Sequence, residues 1–133
     1  MSIKKNDEDK IANTSPEMKS SNKIKVYKDP LFNIGDIVKH RIYPFRGVIV
    51  DVDPEFSNTE EWYQSIPAEI RPSRNQPYYH LMAENTETFY TAYVSQQNLV
   101  DDGDNGPLEH PDLDEIFSGM KMGKYHLKNE VRN

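Results

Sequence analysis

From Ile37 to Val100 apolar and polar residues alternate in short runs with a period of two, the spacing of strands with one buried face. Ile37-Val38-Lys39-His40 follows a Gly turn and predicts a first strand. Pro44 and Gly47 flank a bend, after which Val48, Val50 and Val52 share one face while Ile49 and Asp51 take the other. Asp53-Pro54 ends this second, β-branched strand. Tyr78 to Glu84 and Thr88 to Val94 predict a hairpin around Asn85-Thr86-Glu87. Ser95 to Asn98 allows one tight turn of helix before a short fifth strand at Leu99-Val100. Five short strands in about seventy residues predict a mostly β fold, a small barrel whose closure removes exposed edges.

Between the second and third strands the pattern breaks. Ser57-Asn58-Thr59-Glu60 matches a capping box, with Glu61 in the first turn and Trp62, Tyr63 and Ile66 behind it, so a short helix is expected up to Pro67. Residues 68–77 carry Arg71, Pro72, Arg74 and Pro77, which favour an extended path. A long decorated loop of this kind on a small scaffold is often functional.

Composition places the core. Residues 31–100 hold 30 of the 47 hydrophobic and 11 of the 14 aromatic residues, so the packed domain belongs there. Residues 1–30, with 7 Lys, 5 acidic groups and few apolar residues, are expected to be a disordered polar arm. Beyond residue 100, an acidic turn-rich stretch precedes one apolar cluster at Leu113, Ile116 and Phe117, expected to form a brief helix, and residues 118–133 read as a flexible tail. The domain reading is therefore 1–30, 31–117 and 118–133. Disordered ends are where an unfoldase grips, and by that reading the protein is itself a protease substrate, with a half-life that trimming residues 1–30 or 120–133 should change.

Chemistry narrows the choice further. The absence of cysteine excludes disulfide scaffolds, thiol nucleophiles and thiolate metal sites. No stretch approaches the ~18 apolar residues of a spanning helix, and the polar start Met1 to Lys10 is unlike a signal sequence, so a soluble cytosolic protein is expected. Asp51 and Asp53 lie two apart on a strand, one requirement for acid–base work or a metal, but nothing else in the sequence assembles around them. His40, His80, His110 and His126 show no ligand spacing, and no phosphate loop or nucleophile elbow is present. Neither an enzyme nor a metal or other cofactor is expected.

The ordered blocks Phe32 to His40, Pro44 to Pro54, Thr59 to Tyr63, Gln76 to Asn85, Ala92 to Leu99 and His110-Pro111 resemble the HspQ (YccV-like) heat-shock family over roughly residues 31–117. The resemblance implies a small SH3-like β-barrel and two functions. One is that of a stress-linked factor that promotes degradation of denatured or regulatory proteins, including the replication initiator DnaA, as a specificity factor for the Lon protease. The other is binding of hemimethylated DNA. Related domains fused to F-box and adaptor-like proteins favour the proteolytic context. Residues 31–100 contain 5 basic and 9 acidic groups, a poor average surface for phosphates, although Arg41, Arg46, Arg71 and Arg74 on one side would make a patch.

The partner-binding candidates are Phe45, Arg46, Trp62, Tyr63, Arg71, Arg74 and Tyr79. For Arg46 the choice is between a recognition tip and a solvent-facing side chain beside a bend glycine. Trp62 is either a partner anchor or a lid over one end of the barrel. The acidic run from Asp101 to Glu115 is either a docking signal or a solvated turn.

Overall fold

The computed structural model describes residues 29–129, so all but the last two residues of the expected N-terminal arm lie outside the described residues. The predicted strands form as β1 (Ile37–His40), β2 (Arg46–Asp53), β3 (Tyr78–Glu84), β4 (Phe89–Ser95) and β5 (Leu99–Asp101). They make one antiparallel sheet in the order β4-β3-β2-β1-β5. Its outermost strands, β4 and β5, are joined only by the 3-10 turn Gln96–Asn98. Laid flat, five strands would hold their edges about 19 Å apart, whereas three residues in a 3-10 turn advance about 6 Å. The sheet therefore curls. No pairing joins β4 to β5 among the described residues, so the ring expected from the strand pattern stays open there.

Alternation sorts the side chains between two cores. Val38, Ile49, Tyr79, Leu81, Ala83, Val94 and Leu99 fill the inside of the curl, with Phe32, Phe45, Val52, Tyr90 and Ala92 against them. Ile37 and Val48 face the other way, into a second cluster with Leu108, Leu113, Phe117 and Tyr125. One element of the sequence reading changes here. The β2–β3 register slips between Ile49 and Asp51, a bulge that leaves Val50 without a cross-strand partner. Because the side-chain period is two, that slip turns Val52 into the inner core beside Ile49 and moves Asp51 and Asp53 to the outer face, opposite His80 and Tyr78.

The chain after residue 117 is a second departure. A short helix α2 (Leu113–Ile116) forms as expected, but β6 (Phe117–Lys121) and β7 (Lys124–Leu127) then pair as a hairpin where a flexible tail was expected. Tyr125 explains why: its ring is buried against Phe117, and its hydroxyl accepts a hydrogen bond from the Leu108 N–H at 2.9 Å. The hairpin is tied to the sheet through Gly35 and the Asp36–Lys124 bridge. Thus the C-terminal elements cover one end of the outer face, and the segment between β2 and β3 covers the other.

Candidate functional site

That covering segment, residues 54–77, is seated by aromatic rings. Phe56 lies with its ring centroid 5.8 Å from Trp62, 5.0 Å from Tyr63 and 5.3 Å from Tyr78. Trp62 also meets Tyr93 of β4 edge-on at 5.4 Å. The helix α1 (Glu60–Gln64) starts two residues later than the capping-box reading: Thr59 is the cap, its hydroxyl accepting from the Trp62 N–H at 3.0 Å, while the Ser57 N–H donates to the Tyr93 hydroxyl at 2.9 Å. Tyr63 points inward and donates to the Pro72 carbonyl at 2.6 Å. Trp62 stays half-buried.

The two arginines of this segment serve its own architecture. Arg74 donates from both terminal nitrogens to the Glu60 carboxylate, at 2.8 and 2.9 Å, and its guanidinium lies 3.9 Å from the centre of the Tyr63 ring. Arg71 donates to the Ile66 carbonyl at 2.7 and 3.0 Å and to that of Gln64 at 3.3 Å, satisfying acceptors left at the end of α1. Hydrogen bonds from Arg74, then Gln64, pull the Glu60 carboxyl down from an ordinary 4.5 to about 2. A depressed folded-state value stabilises the protein above the unfolded value and is lost as pH falls through the folded one. We therefore expect the segment to loosen between about pH 4 and pH 2, seen as a change in Trp62 emission. Glu60→Gln should remove that acid step; a step of unchanged midpoint in the variant would assign it to another group.

The remaining candidates lie elsewhere. Arg46 is neither a free tip nor a solvent-facing side chain: its Nε donates to Asp102 Oδ2 at 2.7 Å, and its terminal nitrogens reach the carbonyls of Asp102, Gly106 and Pro107 at 3.3, 2.8 and 3.2 Å. Phe45 packs against the inner core, with its ring 5.2 Å from His40 and 5.9 Å from Tyr90. Tyr79 is fully buried; its hydroxyl bonds Gln96 and accepts from the Leu31 and Phe32 N–H groups. Six of the seven residues thus fall into two places, and Tyr79 belongs to the inner core. Trp62, Tyr63, Arg71 and Arg74 are brought together in the covering segment. Phe45 and Arg46 line a cleft of about 540 Å³ between the β1–β2 and β3–β4 loops. Exposed Ile42 and Tyr43, 74% and 50% accessible, lie on the β1–β2 loop.

Sequence reasoning also missed a constellation on the outer face. Asp53 Oδ2 accepts from the Tyr93 hydroxyl at 2.7 Å and lies 3.1 Å from His80 Nε2, with Asp51 paired to His80 across the strands. Burial first, and the Asp53 contact second, push the Tyr93 hydroxyl well above the ordinary tyrosine value. The two carboxylates were visible as a pair two residues apart. His80, 27 positions beyond Asp53, joins them only through the bulged register.

Residues 30–124 match the family described as hemimethylated DNA-binding protein YccV like. The chain belongs to the YccV-like family. The YccV-like match runs past Phe117 to the first residue of β7, so it takes in β6 and the turn that follows. The chain is also similar to F-box only protein 21 of Homo sapiens and of Pongo abelii, in each case 29% identical over 104 residues. Those residues are 77% of this chain but 16% of either relative, so the YccV-like chain spans about a sixth of the length of these curated relatives. No solved structure matches it. The family description names a binding activity and no reaction. Among the described residues, no helix is long and apolar enough to cross a membrane.

Proposed function

We propose that this protein is a non-enzymatic accessory factor, acting in the cytosol, that promotes degradation of denatured or regulatory proteins, the initiator DnaA among them, as a specificity factor for the Lon protease. One observation carries the preference for a protein partner over a nucleic acid. The guanidinium groups of Arg46, Arg71 and Arg74, the charges a phosphate backbone would need, are each held by acceptors of the same chain. Residues 29–129 carry 17 acidic and 8 basic side chains, a balance of −9, so phosphate neutralisation has few free cations to draw on. Half-buried Trp62 and exposed Ile70 on the covering segment, with Ile42 and Tyr43 on the β1–β2 loop, supply instead the aromatic and aliphatic contacts typical of protein interfaces. The likeness to F-box only protein 21 supports the same proteolytic setting. The curled sheet, open between β4 and β5, supports an SH3-like barrel as the scaffold.

The test is degradation of a labelled unstable client by purified Lon at constant ATP turnover, with and without the protein. Stimulation or client selection is the expected result, and Trp62→Ala is expected to weaken it by about 2 kcal/mol in apparent affinity, roughly 30-fold, with the folded circular-dichroism signal retained. No effect across several clients would overturn the reading. The family description favours a second one, hemimethylated DNA binding. It requires that affinity for hemimethylated duplex fall steeply with salt, by close to one log unit per log unit of salt for each phosphate neutralised. A flat response removes it.

A further inference from the structure

We propose that Asp51, Asp53 and His80 form a binding site for a divalent first-row transition-metal ion, with Zn²⁺ as its probe. The three side chains offer ligand atoms that all lie within 4.8 Å of one another. Two ligands of a single ion at about 2.1 Å from it are about 3.0–3.4 Å apart when they subtend 90–109°. The 3.1 Å between His80 Nε2 and Asp53 Oδ2 lies in that interval. Asp51 is exposed, so its carboxylate can swing inward to become the third ligand. One imidazole with two carboxylates is a nitrogen–oxygen donor set suited to zinc and its neighbours, whereas magnesium and calcium take oxygen ligands.

The backbone builds this arrangement. Without the bulge after Ile49, Asp51 would face the inner core and His80 would stand opposite an apolar neighbour; with it, Asp51 and His80 are directly paired and Asp53 follows on the same face. Around the ligands, Tyr93 holds the Asp53 carboxylate through a 2.7 Å hydrogen bond and packs its ring 4.6 Å from that of His80, the outer contacts that orient metal ligands. A simple Asp53–His80 ion pair accounts for two of the three groups. It leaves Asp51, whose Oδ1 accepts from the Val52 N–H at 2.9 Å, as a second carboxylate beside the first, where like charges repel and a cation relieves them. Three protein ligands leave at least one coordination position for water or for a partner's side chain. Through Tyr93, which also receives the Ser57 N–H and contacts Trp62, the ion would brace the covering segment against the sheet.

The test is titration of the full chain with ZnCl₂ by calorimetry, with MgCl₂ as comparator, alongside the emission of Trp62, the chain's only tryptophan. One Zn²⁺ per chain should bind saturably with a matching change in emission, and Mg²⁺ should not. His80→Ala and Asp53→Asn should each lower Zn²⁺ affinity at least tenfold. Asp51→Asn, at an exposed position, keeps the fold and should weaken binding severalfold, so it decides the matter if either of the others fails to fold. No saturable Zn²⁺ binding, or binding unchanged in Asp51→Asn and in whichever of the other variants folds, overturns the proposal.

Discussion

Arg46→Ala should lower the unfolding free energy by about 3 kcal/mol and release residues 102–107 from the sheet. Asp102 is only 5% accessible, and its carboxylate faces the Arg46 Nε at 2.7 Å. Removing the cation leaves a buried carboxylate that still accepts from the Asn105 side-chain amide. Breaking a buried pair from one side costs about 3–5 kcal/mol; because Arg46 itself is 21% accessible, the lower part of that interval applies. Three backbone carbonyls lose their donor in the same step. Arg46→Lys should recover little, since one ammonium cannot serve four acceptors spread over Asp102, Gly106 and Pro107. Urea denaturation followed by circular dichroism measures the loss, and hydrogen exchange at residues 102–107 locates it. A stability within about 1 kcal/mol of the parent would return Arg46 to the list of free recognition residues.

What was readable in the chain follows from the range of each interaction. The five strands of the main sheet were legible because alternation and turn residues are local. Trp62 and Tyr63 were legible as an aromatic pair, and their opposite fates were not, because the Pro72 carbonyl and the Tyr93 ring that separate them are brought in by the fold. Arg46 finds its partner 56 positions away, a distance over which no spacing rule operates. The bulge after Ile49 has no residue signal, since Val50 looks like any β-branched strand residue, and yet it decides which face Asp51, Val52 and Asp53 occupy. The final hairpin was hidden for a different reason. Its two-residue turn is Met122-Gly123, both at positive φ (57° and 82°), a conformation usually announced by Asn-Gly or Asp-Gly. Methionine at the first position conceals the turn, and the strands beside it are too short to show a period.

That hairpin makes Gly35→Ala the substitution with the other large expected effect. Gly35 was legible as a turn glycine, and its φ of +97° bears this out. Its greater role is contact: a Cβ on Gly35 would lie 2.1 Å from the Tyr125 carbonyl oxygen, a backbone atom that can retreat only if β7 moves. The residue is bonded on both sides, its N–H donating to the Ile49 carbonyl and its carbonyl accepting from the Tyr125 N–H, each at 2.8 Å. Any displacement therefore strains the main sheet or detaches the hairpin. Detachment would uncover Phe117, Tyr125, Ile37 and Val48 together, the cluster that seals one end of the outer face. The expected cost is about 3–5 kcal/mol, comparable to emptying a core position, against a total stability of about 5–15 kcal/mol for a domain of this size. Two probes separate the outcomes. If β7 amides lose exchange protection while β2 and β3 keep theirs, the hairpin has come away from an intact sheet; if all lose it together, the two cores fold as one unit. Protection in β7 equal to that of the parent would mean that the close approach at Gly35 does not hold the hairpin in place.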